Sequence, residues 1–186
     1  MPCSVFVGIS VDGFLARLNG SLDFLDAGGN TPHGFEEFYA SIDAVVIGRT
    51  TFEWVLSYCQ SHQGWPYGKK RVAALSSRPL DFSSLGKVQI EQMSGEPADI
   101  VAKLSASGAQ HLYIDGGVTI QRFLRAGQID RLIVTRVPVL IGQGIPLFGA
   151  LPADVLLRHV ATRTWETGLV QSEYAVLREP AAAAKT

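Results

Sequence analysis

Cysteine is scarce in this chain. There are two in 186 residues, Cys3 and Cys59, far apart and in no Cys-x-x-Cys or Cys/His cluster. That excludes a disulfide framework and a structural zinc site, and a reducing cytoplasm is the expected location. The four histidines, His33, His62, His111 and His159, share no ligand spacing and have no Ser or Cys neighbour in a nucleophile pattern, so neither a metal nor a hydrolytic triad is expected. An excess of one charge is missing as well: 16 Lys and Arg stand against 17 Asp and Glu, with a pI near 6.4. Binding to nucleic acid or to an anionic membrane needs a concentrated basic face, so neither is an expected partner. No run reaches eighteen apolar residues, and the N-terminus lacks the basic region and long apolar stretch of a secretory signal. Gly-x-Gly-x-x-Gly and the Walker sequence are also absent.

What is present is a chain with 47% hydrophobic and 18% charged residues and no break in composition. It reads as one domain over residues 1–179, with an Ala-rich, flexible tail at 180–186. Short Val- and Ile-rich runs mark strands at Ser4 to Val11, Ala44 to Ile47, Arg71 to Leu75, Lys87 to Gln92, His111 to Ile114 and Ile129 to Val137. Helical spacing falls between them, at Phe35 to Ser41, Thr50 to Tyr58, Pro97 to Ser107 and Val118 to Ala126. Val155 to Glu166 and Leu169 to Leu177 are two alternating runs joined at Thr167-Gly168, which predicts a hairpin. The order predicts a three-layer α/β fold: a central, mixed but mostly parallel sheet of about eight strands, helices on both faces, and a C-terminal antiparallel hairpin. Residues 12–34, with several glycines, make a first connection long enough to be functional.

Such sheets bind ligands beyond the carboxyl ends of their strands, and three strand ends here stand out. At Gly48-Arg49-Thr50-Thr51 an apolar strand passes through a glycine and an arginine straight into a helix, whose free N–H groups suit a phosphate. Asp115-Gly116-Gly117-Val118-Thr119 repeats the device with two glycines. Leu75-Ser76-Ser77-Arg78 places small hydroxyls and a cation after a third strand, a set able to hold a phosphate monoester. Each segment alone also reads as an ordinary turn, the Gly116-Gly117 pair more readily so than as a ligand cradle. Together they match one elongated dinucleotide better than three unrelated anions.

The three segments occur in the order found in the dihydrofolate reductase-like superfamily. The chain most resembles the C-terminal reductase domain of bacterial riboflavin biosynthesis and its stand-alone relatives. Ser10-Val11-Asp12-Gly13-Phe14-Leu15-Ala16 resembles that group's Ser-x-Asp-Gly-x-Ile-Ala signature, and Gln128 to Leu132, Pro138 to Gly144 and Leu147-Phe148 resemble its distal segment. The resemblance implies NADPH as cofactor and hydride transfer to a small nitrogen-heterocycle or ribosylaminopyrimidine-like substrate. It assigns Arg49 and Thr51, with Gly48 and Thr50 in the same turn, to cofactor phosphates, and Leu75, Ser76, Ser77 and Arg78 to the adenosine-side phosphate. Gly116, Gly117, Val118 and Thr119 fall to the pyrophosphate, and Ala16 and Gly20 to the loop beside the nicotinamide. A homodimer through the terminal hairpin and Trp165 is compatible with it.

The sequence departs from the resemblance at its carboxylate. Dihydrofolate reductases carry an acid on the helix before the Gly-Arg strand, and the matching positions here, Pro32 to Gly34, have none. Asp12, at the mouth of the first loop, and Glu36, one turn along, are the candidate catalytic acids, with Asp23 third; Asp115 reads as bracing its own glycine turn. Asp12 and Glu36 have equally ordinary readings, as a turn former and a solvated surface acid. Trp65 and Tyr67 are candidates to line the cleft, whereas Trp54 reads as core or interface packing. His-x-Glu and Pro-Cys-x-x-Cys, the deaminase signature often fused to the riboflavin reductase domain, are missing. The alternatives are a dinucleotide-binding module without catalysis and a true dihydrofolate reductase.

Overall fold

The computed structural model describes residues 1–61 and 64–178; His62 and the expected 180–186 tail lie outside the described residues. The chain runs β1 (Cys3–Ser10), β2 (Phe14–Ala16), α1 (Phe35–Ser41), β3 (Ala44–Gly48), α2 (Arg49–Ser61), β4 (Arg71–Leu75), β5 (Ile90–Met93) and α3 (Pro97–Ala106). It continues with β6 (Leu112–Asp115), α4 (Gly117–Arg125), β7 (Arg131–Val137), β8 (Ile145–Pro146), β9 (Leu157–Thr164) and β10 (Val170–Val176). Eight strands form one sheet in the order β5-β4-β3-β6-β1-β7-β10-β9. Every pairing from β5 to β7 is parallel, and β10 pairs antiparallel with both β7 and β9. The expected mixed, mostly parallel sheet with its terminal hairpin is thus observed.

Alternation along each central strand feeds two cores. On one face Val5, Val7 and Ile9 of β1, Val46 of β3 and Leu112 and Ile114 of β6 pack with Ile100 and Leu104 of α3 and Ile120 and Phe123 of α4. On the other, Phe6, Val45, Ile47 and Tyr113 pack with Phe38 of α1 and Phe52 and Val55 of α2. Because both faces are covered, these strands read as nearly continuous apolar runs. Each fully buried Ile, Leu or Phe contributes about 1.5–3 kcal/mol.

Strand β1 is anchored at its start by Asp130, whose carboxylate accepts the Cys3 N–H (2.8 Å) and pairs with Arg178 (2.6 Å). Burial, with Asp130 adding to it, raises the Cys3 thiol pKa to about 12, so this cysteine is a packing residue, not a nucleophile. Two very short strands, β2 and β8, form a separate antiparallel pair that the sequence pattern does not announce. No helix among the described residues is long and apolar enough to cross a membrane.

Candidate active site

Strand β3 lies between β4 and β6, all three parallel, with Gly48 beside Leu75 and Ile47 beside Asp115. The three suspect strand ends therefore meet along one edge of the sheet. They open on a single cavity of about 780 Å³, toward the upper end of the roughly 300–1,000 Å³ usual for small-molecule and cofactor sites. All the cofactor candidates line it: Gly48, Arg49, Thr50 and Thr51; Leu75, Ser76, Ser77 and Arg78; Gly116, Gly117, Val118 and Thr119; and Ala16 and Gly20 from the first loop.

The two glycine turns interlock. A side chain on Gly116 would run into the Thr51 hydroxyl, and a β-carbon on Gly48 would lie 2.7 Å from the Thr119 hydroxyl. Each threonine occupies the niche left by the other turn's glycine. Gly116 also has φ of +90°, a conformation that a β-carbon disfavours. The Ile120 amide is the first of α4 to reach back, to the Gly116 carbonyl, so the amides of Gly117, Val118 and Thr119 remain available to an anion.

Arg49 is largely committed to its own chain. Its Nε and Nη2 donate to the Ser76 hydroxyl (3.0 and 2.7 Å), Nη2 also reaches the carbonyls of Arg78 (2.7 Å) and Pro79 (2.9 Å), and Nη1 pairs with Glu53. Ser76 in turn donates to the Arg78 carbonyl (2.6 Å). Arg49 and Ser76 thus shape the 76–79 turn, leaving Ser77 and the Arg78 guanidinium exposed at the cavity rim with no side-chain partner among the described residues. Replacing Arg49 with alanine should lower unfolding stability in urea by about 1–3 kcal/mol, and lysine should restore only part of it, because an ammonium cannot fork between Ser76 and the two carbonyls.

The carboxylates are arranged differently from the expectation. Asp12 lies outside the cavity wall: its carboxylate accepts the amides of Gly142 (2.8 Å) and Ile141 (3.3 Å), tying the first loop to the loop before β8. Hydrogen bonding from Ser10 and these amides keeps its carboxyl below the usual range. Glu36 is exposed on the outward side of α1, which turns Phe38 inward, and does not line the cavity. Asp23 is held by Arg17 (2.6 Å) and Ser21 (2.8 Å), which bring its pKa to about 2. Neither candidate catalytic acid faces the cavity.

Two other acids line it among the described residues: Glu96, after β5, and Asp115. Asp115 ends β6 half-buried in the cavity wall beside Tyr113 and Tyr67, and accepts the Gly116 N–H (2.8 Å) as a turn-bracing acid should. Burial raises its pKa, against the opposing pull of the Gly116 amide and the Tyr113 hydroxyl. That hydroxyl also donates to the Phe6 carbonyl (2.9 Å); with one proton it serves one acceptor at a time. Tyr67 lines the cavity as expected, while Trp65 packs edge-on against it, outside the wall. Trp54, expected in packing, is half exposed at the cavity and stacked on Tyr58. Arg122 of α4 is a further cavity cation, donating to the Gly95 carbonyl (3.1 Å). Leu15 of β2 and Ile145 of β8 also line the cavity, 3.2 and 3.8 Å from where a Gly117 side chain would begin.

The model of the RibD C-terminal domain matches residues 4–171. The chain belongs to that family. Its relatives include YwjB of Bacillus subtilis (strain 168), itself uncharacterised, which is 30% identical over 161 residues, 86% of this chain and 89% of YwjB. A Shewanella sp. PV-4 protein, provisionally assigned to riboflavin biosynthesis, is 36% identical, with a TM-score of 0.87 over 96% of this chain and all of that one. The fold is that of dihydrofolate reductase: the Enterococcus faecalis enzyme, complexed with NADP(H), superposes with a TM-score of 0.62 at 16% identity, covering 94% of this chain and 96% of its own. Within this RibD C-terminal family member, the sequence signal for Asp115 was its place directly before Gly116-Gly117. Only the fold shows that the same carboxylate faces the cavity.

Proposed function

We propose that this protein is an NADPH-dependent reductase that transfers a hydride to a small nitrogen heterocycle. The observation that carries the reading is the interlocked pair of glycine turns, with the free amides of α4 at one end of a single cavity and, at its rim, the Ser77 and Arg78 side chains, which have no side-chain partner among the described residues. These residues fit a dinucleotide. The cradle at Gly116 has no room for a side chain, the amides of Gly117, Val118 and Thr119 suit a pyrophosphate, and Ser77 with Arg78 suits the extra phosphate that separates NADPH from NADH.

When bound, NADPH supplies the hydride: the carbon of a C=N bond gains hydrogen with two electrons, the nitrogen gains a proton, and NADP⁺ remains. The chain's own work is positioning, drying and proton delivery. Tyr113, Tyr67 and Phe6 wall the space next to Asp115, and Leu15 and Ile145 add apolar lining that limits water there. Asp115, whose pKa burial raises above that of an exposed aspartate, is the carboxyl group placed to pass a proton to the substrate nitrogen. A carboxylate placed there favours a working enzyme over a binding module that has lost catalysis.

Titration calorimetry tests the cofactor assignment. NADPH should bind more tightly than NADH, and Arg78→Ala should reduce that preference roughly ten- to hundredfold, a charge-assisted contact being worth about 1.5–3 kcal/mol. The gap should also shrink with added salt, because Arg78 is exposed. Equal wild-type affinity for the two coenzymes would remove the assignment of Ser77 and Arg78; no binding of either would remove the reading itself.

A further inference from the structure

The charged side chains lining the cavity are unevenly distributed. Among the described residues there are five: Arg49, Arg78, Glu96, Arg122 and Asp115. The first four sit toward the β3, β4 and β5 side of the sheet. Arg49 and Arg78 meet at the 76–79 turn, Glu96 follows β5, and Arg122 reaches across to the carbonyl of Gly95. From β6 to β1 the wall is made of Phe6, Leu25, Tyr67 and Tyr113, and Asp115 is its one carboxyl group. Leu25 lies directly over β1, its Cδ2 2.9 Å from where a Gly8 side chain would begin. Arg17, on the loop between the cavity residues Ala16 and Gly20, is neutralised by Asp23.

We infer that the β6–β1 end takes a flat nitrogen heterocycle that carries no phosphate, and that it discriminates against the phosphoribosyl ester of the same ring. The inference rests on the reductase reading, in which the dinucleotide occupies the cationic end. A substrate phosphate would then have to settle against aromatic and aliphatic side chains and a carboxyl group, with no cation among the described residues lining that end to offset its desolvation. A neutral ring finds aromatic faces on which to stack and, in Asp115 and the Tyr113 hydroxyl, polar groups for its nitrogen edge. The Thermotoga maritima structural neighbour carries the name of a 5-amino-6-(5-phosphoribosylamino)uracil reductase, which makes that ester and its dephosphorylated form a fitting pair of probes.

Two matched pairs test this in calorimetry on the NADP⁺ complex of the full chain: 5-amino-6-(5-phosphoribosylamino)uracil against its dephosphorylated form, and 7,8-dihydroneopterin against its 3′-phosphate. NADP⁺ is titrated first, so a failure of the cofactor reading, which would take the inference with it, is seen separately. The expected result is saturable binding of at least one unphosphorylated ring, at least tenfold tighter than its own ester. Leu25→Lys, which adds a cation at that end, should narrow the gap at least fivefold while leaving NADP⁺ affinity unchanged. An ester that binds as tightly as its parent ring, or no saturation by either unphosphorylated ring, overturns the inference. The wild-type comparison decides the matter even if the lysine variant fails to fold.

Discussion

Gly116→Val should weaken NADPH binding by roughly a hundredfold or more, the larger of the expected effects on cofactor affinity. Two costs act together. At φ of +90° a β-carbon is strained, by about 1–2 kcal/mol for an L-residue held in a left-handed conformation. The new side chain would also drive into the Thr51 hydroxyl, so α4 can keep its place only if the two turns part. Parting them misaligns the amides of Gly117, Val118 and Thr119, and losing even two charge-assisted contacts at about 1.5–3 kcal/mol each gives the stated loss, since about 1.4 kcal/mol is tenfold. Gly108 is the control. It has φ of +95°, follows α3 away from the cavity, and has open space where a side chain would begin. Gly108→Ala should lower the urea midpoint and leave NADPH affinity unchanged. Gly116→Ala combined with Thr51→Ala should recover part of the affinity by removing the collision but not the strain. If Gly116→Val binds NADPH like the wild type in calorimetry, the glycine cradle has no part in holding the cofactor.

The same interlock shows what was legible in the sequence. Gly48 and Gly116 announce two turns in which a strand enters a helix directly, and the apolar runs place them at strand ends. That Thr51 fills the niche of Gly116 and Thr119 that of Gly48 is a tertiary fact, which arises because β3 and β6 are neighbours. Local signals were sharp where burial on both faces enforces a run, as in β4 at Arg71–Leu75, and α1, exposed but for Phe38 and the half-buried Tyr39, spans Phe35–Ser41 as its helical spacing predicts. They blurred at the sheet edge, where β5 begins at Ile90 instead of Lys87 and is only partly buried. Strands β2 and β8 left no local trace, because three residues pair with two across most of the chain, one of them a proline. Arg49 was legible as a functional arginine but not as one spending its donors on Ser76 and two carbonyls. The carboxylates were the hardest. Asp12 and Glu36 look exposed and available in sequence; both are exposed, but Asp12 is taken up by the amides of Gly142 and Ile141, and Glu36 faces solvent. Asp115 looks like a turn residue, and its second role depends on Tyr67 and Tyr113 being folded against it.

Asp115→Asn is expected to cost about 10²–10⁴ in kcat for NADPH oxidation, with the 5-amino-6-(ribosylamino)uracil and 7,8-dihydroneopterin probes as acceptors, because an amide keeps the shape and the Gly116 contact but cannot deliver a proton. Binding of NADPH should change little. The pH dependence fixes the sign. Burial raises the Asp115 pKa, so the protonated form persists to higher pH than for an exposed aspartate. Wild-type kcat should be highest on the acid side and fall as pH rises through that elevated pKa, and the limb should vanish in the asparagine variant. Stability follows the same proton. Between the unfolded and folded pKa values the folded state binds more protons than the unfolded one, so the stabilising contribution is fully present below the unfolded pKa and is lost as pH rises through the folded value. The asparagine side chain does not titrate, so its urea midpoint should gain on the wild type as pH increases. Glutamate at the same position keeps the proton but displaces it by one methylene, and should retain a pH limb with reduced kcat. If the asparagine variant keeps both the wild-type rate and its pH profile, proton delivery belongs to another group or to water, and Asp115 is left only with the turn it braces.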